Sequence, residues 1–91
     1  MEFEEVFSSS LRMKILKLLY SLGQLNVSDI ARRLKINFAV TSEHLRVLES
    51  EGIVKEYLYG RIRLYSFNDA SEKARVIQKL IQLWEQNKQQ G

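Results

Sequence analysis

The spacing of apolar residues changes period at Gly52, and that change limits what the chain can fold into. Up to Gly52 the apolar positions recur every three or four residues, which is the spacing of helices with one buried face. Residues 53–67 then alternate, and they are rich in β-branched and aromatic side chains around Gly60, the pattern of a β-hairpin. Helical spacing returns after Asp69. The expected class is α+β, mostly α, with three helices, a hairpin and a closing helix.

Local chemistry marks the ends of these segments. Leu11, Ile15, Leu18 and Leu22 share one helical face; Ser8, Ser9 and Ser10 stand ready to cap it, and Gly23 to end it. Met13, Leu16, Leu19 and Tyr20 widen its apolar surface, so it is expected to be covered on more than one side. Val27, Ile30, Ala31 and Leu34 form a second helical stripe, with Asn26 or Ser28 as its cap. Only residues 35–37 separate it from a third, on which Thr41, His44, Leu45 and Leu48 share a face, Asn37 is the cap and Gly52 the stop. Helix, tight turn and helix thus occupy about residues 26–51. In the hairpin, about 53–67, a two-residue loop at Tyr59-Gly60 sets Glu56 opposite Arg63, whereas a three-residue loop sets Leu58 beside Ile62; the sequence permits both. Asp69 is the expected cap of the last helix, about 69–88, where Ala70, Ala74, Ile77, Ile81 and Trp84 make a stripe.

Composition closes off several kinds of chemistry. The 91 residues suit a single domain, 1–91, with one core. Cysteine is absent and His44 is the one histidine, so thiolate ligands, cysteine nucleophiles and histidine clusters are excluded. Ser42, Glu43 and His44 are consecutive and point in different directions on a helix, which rules out a catalytic triad. The expectation is a protein that is not an enzyme and needs no cofactor or metal. No apolar run approaches the roughly 20 residues that cross a bilayer, and residues 1–5 are acidic, so a cytoplasmic location without membrane contact is expected. The net charge of +3 permits a polyanionic partner, and its distribution is local: Lys55, Arg61 and Arg63 make the hairpin basic.

Three stretches carry a family likeness. Phe7-Ser8-Ser9-Ser10-Leu11-Arg12-Met13-Lys14-Ile15-Leu16, then Val27-Ser28-Asp29-Ile30-Ala31-Arg32-Arg33-Leu34, then Thr41-Ser42-Glu43-His44-Leu45-Arg46-Val47-Leu48-Glu49, with the hairpin Gly60-Arg61-Ile62-Arg63-Leu64-Tyr65-Ser66, resemble the ArsR-type prokaryotic transcriptional regulators. The resemblance implies a winged helix-turn-helix with a C-terminal dimerisation helix. It also implies a repressor-like homodimer on double-stranded DNA, whose third helix enters the major groove and whose hairpin, the wing, touches the flanking backbone. Many such regulators sense metals through a Cys-x-Cys pair; Asn26 and Ser28 stand at those positions here, and the last helix offers Asp69 and Glu72 without a histidine. A thiolate metal sensor is therefore not expected.

Candidate contacts follow from the faces. With Thr41, Leu45 and Leu48 turned inward, the third helix presents Ala39, Ser42, Glu43 and Arg46, and its first turn adds Asn37 and Phe38. Glu43 stands where relatives often have histidine or glutamine; a carboxylate approaching DNA meets a polyanion, although it can accept from cytosine N4 when placed well. Arg61 and Arg63 are candidate phosphate contacts. Arg12, Lys14 and Lys17 read as the wet face of their helix. His44 reads as a packing or hydrogen-bonding residue. Ile77, Leu80, Ile81 and Trp84 exceed what one small core needs, and the resemblance pairs this helix with the first, including Leu11, across a dimer interface. Two recognition helices roughly 34 Å apart then favour an inverted repeat. The rival reading is a winged-helix module that binds protein and not DNA.

Overall fold

Residues 1–90 are described in the computed structural model. Their order is α1 (Phe3–Phe7), α2 (Ser10–Leu22), α3 (Val27–Leu34), α4 (Phe38–Ser50), β1 (Val54–Tyr59), β2 (Ile62–Phe67) and α5 (Glu72–Gln90). The expected sequence of helices, hairpin and closing helix is present, with α1 as an addition. Its five residues are too few to display a helical period, so composition alone left it unannounced.

The middle three helices start on side-chain caps. Ser9 Oγ accepts the Arg12 N–H at 3.2 Å, Asn26 Oδ1 accepts that of Asp29 at 2.8 Å, and Asn37 Oδ1 accepts that of Val40 at 2.8 Å. Their ends are equally chemical. Gly52 sits at φ 75°, its N–H bonded to Glu49 O and that of Ile53 to Leu48 O, both at 3.0 Å. This closes α4 in a Schellman turn whose flanking apolar pair, Leu48 and Ile53, is buried in the core. At the end of α3 the left-handed position is held by Lys35, φ 57°, and the Ile36 N–H reaches Ala31 O at 3.0 Å. A lysine there accepts backbone strain that glycine would not. The tight turn into α4 depends on it.

Ile15, Leu16 and Leu19 of α2 sit at the centre of the core, met by Ile30, Leu45 and Leu48 from the helix pair and by Val54 and Phe67 from the hairpin root. Thr41 is the one buried polar residue among those described, and its Oγ1 donates to Asn37 O at 2.8 Å. The inward face of α4 therefore carries no unsatisfied group.

Two details depart from expectation, and a third was not announced by the sequence. The hairpin pairs Tyr59 with Ile62, Leu58 with Arg63 and Glu56 with Tyr65, so its two-residue loop is Gly60-Arg61 and neither expected register, the Tyr59-Gly60 loop nor the three-residue loop, is formed. Gly60 takes φ 63° while Arg61 does not have a positive φ, the arrangement of a type II′ turn with glycine first. The last helix begins at Glu72, and Ser71 Oγ accepts the Ala74 N–H at 3.4 Å. Asp69 lies outside it, its Oδ1 taking Gln78 Nε2 at 2.9 Å. Finally, Leu25 exchanges both backbone hydrogen bonds with Tyr65, at 2.8 and 3.1 Å, which pins the hairpin to the loop between α2 and α3.

Candidate nucleic-acid interface

One buried row on α4 decides which side it shows. Thr41, Leu45 and Leu48 are buried, so Ala39, Glu43 and Arg46 are turned to solvent, together with Phe38 in the first turn, and Ser42 is half-buried at the edge. The N-terminal turn of α4 contains no acidic residue, so its free N–H groups and the positive end of the helix dipole face outward uncompensated. Asn37 is partly spent: Oδ1 caps the helix, leaving its amide NH2 uncommitted. Arg46 Nη1 donates to Glu43 Oε2 at 2.7 Å, an exposed pair one turn apart.

The hairpin follows α4 after a single turn and carries positive charge that is not ion-paired among the described residues. Arg61 in the loop and Arg63 on β2 are exposed, and neither forms an ion pair among the described residues. Around them the tip is apolar, with Leu58, Tyr59 and Ile62 each more than half exposed. Those three were not singled out from sequence, because alternation alone does not tell a projecting tip from a buried root. On β2, burial first and the neighbouring Glu56 second push the Tyr65 phenol up to about 12. Lys55 Nζ lies 5.4 Å from the centre of the Tyr57 ring, a cation–π contact on the other face of the sheet.

Behind α4 lies a residue that sequence reasoning passed over. Arg12, read as part of a wet face, is half-buried, and it bonds to the carbonyls of Glu5 and Val6 and approaches His44. Its partners lie on two other helices, and nothing in the local spacing announces them. His44 is half-buried as expected, and burial followed by the Arg12 charge holds its imidazole below the ordinary value, with Glu43 opposing.

A second surface is apolar. Trp84 and Leu80 of α5 are 65% and 54% exposed, Ile81 and Leu11 are half-buried, and Ile77, at 7%, packs into the chain's own core. Grooves run along both flanks of Leu80, one of about 350 Å³ between α2 and α5 and one of about 330 Å³ between α1 and α5. Both are lined by Phe7, Ile77 and Leu80, so apolar side chains connect Phe3, 73% exposed, to Trp84, with Lys17 and Glu85 also lining the first groove and Glu51 and Lys73 the second. Asn26 is engaged as a helix cap.

Comparison with known proteins agrees with this geometry. The family model of bacterial regulatory proteins of the arsR family matches residues 9–56. A homologue of the cadmium resistance transcriptional regulatory protein CadC from Staphylococcus aureus is 36% identical over 76 residues, 80% of this chain and 63% of that protein. The chain thus spans somewhat less than two thirds of that relative's length. Among solved structures, the transcriptional repressor PagR of Bacillus anthracis is similar at a TM-score of 0.72 and 30% identity, over 85% of each chain. The homodimeric winged helix-turn-helix DNA-binding domain of Mb0332 from Mycobacterium bovis is similar at 0.73 and 26%, over 90% of this chain and 73% of that one.

Proposed function

This chain belongs to the arsR family of bacterial regulatory proteins, and from that premise we propose that it is a sequence-specific, double-stranded DNA-binding transcriptional regulator, repressor-like, acting as a homodimer. The observation that carries the proposal is the pairing of an exposed, cap-stabilised α4 with two unpaired guanidinium groups, Arg61 and Arg63, on the hairpin that follows it. The helix reads base edges in the major groove through Ser42, Glu43 and Arg46, with Asn37, Phe38 and Ala39 at the approaching end. The wing neutralises flanking phosphates.

Dimerisation uses the apolar surface of α1, α2 and α5, with Leu11, Ile77, Leu80, Ile81 and Trp84 in or bordering it. A second copy supplies the complementary apolar face, as a twofold interface requires. The preferred site is then an inverted repeat with half-sites about one helical turn apart. No catalytic step and no cofactor belong to this reading, and its place of action is the cytoplasm, where the DNA is.

Selection of bound duplexes from a random pool, followed by mobility shifts of the selected duplex at increasing salt, tests the proposal. The expected result is an inverted repeat bound with steep salt dependence. Failure to enrich any sequence, with no salt-sensitive shift, overturns it in favour of a protein-binding module.

A further inference from the structure

The ion pair on the exposed face of α4 raises a question of purpose. Glu43 and Arg46 are both largely solvated, and an exposed pair one helical turn apart adds little to stability. Yet Glu43 puts a negative charge on the surface proposed to meet a polyanion. Charge for phosphate attraction lies elsewhere, on Arg61 and Arg63 of the wing and on Arg33 and Lys35 at the end of α3, all exposed. On α4 the Arg46 charge is matched by Glu43, so this pair adds no net attraction for phosphate.

We propose that Glu43 is a specificity-determining residue, which acts by holding Arg46 for guanine and by penalising every duplex that does not offer a cytosine amino group beside it. This rests on the reading of α4 as the helix that meets DNA. Arg46 commits Nη1 to Glu43 Oε2 at 2.7 Å, which leaves the N–H groups on Nη2 and Nε for the O6 and N7 acceptors of a guanine. A guanidinium tethered along the helix is also drawn away from the nearest phosphates, where it would bind any sequence equally. The carboxylate retains Oε1 as a free acceptor, and in the major groove only cytosine N4 and adenine N6 donate. Adenine presents its acceptor N7 beside that donor, and guanine and thymine present only acceptors, so cytosine is the base a carboxylate meets without repulsion. The recognised element is a G and a nearby C within one half-site, and unselected DNA is bound less well because of Glu43, not in spite of it.

Glu43→Ala, Glu43→Gln and Arg46→Ala are compared with the unaltered protein on a duplex selected from a random pool and on an unrelated duplex of equal length. Glu43→Ala is expected to bind the unrelated duplex several-fold more tightly and the selected one more weakly, lowering the ratio of the two by about tenfold or more. Glu43→Gln, which keeps an oxygen acceptor without the charge, falls between. With Arg46→Ala already present, Glu43→Ala has a smaller effect on the selected duplex, as coupled residues require. Unaltered melting temperatures check that the fold is intact, both sites being exposed. If the unaltered protein binds no duplex in a salt-dependent way, the DNA reading itself falls. If it selects a sequence but Glu43→Ala keeps the same sequence and the same ratio, the role of Glu43 is overturned while DNA binding stands.

Discussion

Arg12 Nη1 lies 3.3 Å from Nδ1 of His44, 32 residues further along the chain, and so joins α2 to the helix proposed to read DNA. The same guanidinium donates through Nη2 to Glu5 O at 2.6 Å and through Nε to Val6 O at 3.1 Å. Those carbonyls belong to the last turn of α1, where no intrahelical partner is available. One planar side chain therefore closes the end of α1 and buttresses the back of α4, a geometry that lysine's single ammonium does not reproduce.

Acid stability is expected to depend on His44. Burial first, and Arg12 second, hold its pKa below the ordinary value of 6.5 in the folded protein. Below that ordinary value the unfolded chain takes up a proton that the folded chain refuses, so the stabilising contribution is complete above it and is lost as pH falls through the folded-state value. Thermal melts from about pH 7.5 down to about pH 5 should show a falling midpoint that is shallower in His44→Asn, which keeps an acceptor near Nδ1 and does not protonate. An identical slope in both proteins would assign the acid sensitivity to other groups.

The wing arginines are expected to set the salt dependence of binding. Replacing Arg61 and Arg63 together by alanine should weaken all duplexes nearly equally and lower the slope of log affinity against log salt by about 2, since each phosphate contact contributes about 0.9. Fluorescence anisotropy over a salt series measures this directly. An unchanged slope would take the wing off the DNA.

Trp84→Glu is expected to convert a dimer to a monomer in sedimentation equilibrium while leaving the melting of the isolated chain almost unchanged. The indole is 65% exposed, so its loss removes little from the chain's own core, whereas a carboxylate buried at a two-fold interface meets its own copy. A dimer that persists at micromolar concentration would move the interface away from α5.

Features fixed by neighbouring residues were legible from sequence: the Asn37 cap, the Gly23 and Gly52 stops, and the inward row of Thr41, Leu45 and Leu48 all follow from chemistry within one or two turns, and of the two caps open for α3, Asn26 and Ser28, the structure uses Asn26. Features that depend on distant partners were not. Arg12 resembled any exposed helix cation until His44 and the end of α1 were brought beside it. Gly60 suits either position of a tight loop, so the register was undetermined until the hairpin root, Val54 against Phe67, entered the core. Asp69 and Ser71 are both good caps two residues apart, and the side-chain bond to Gln78 draws Asp69 away. For α5, an apolar stripe does not by itself divide residues such as Ile77, spent inside, from Trp84, left outside.

The exchange of backbone bonds between Leu25 and Tyr65 gives the hairpin a fulcrum. Three residues lie between that grip and the loop, about 10 Å of overhang at the usual rise of a strand. The arginines at the tip therefore overhang an anchored strand, and the reach of the wing is set by where Leu25, two residues before the start of α3, grips it.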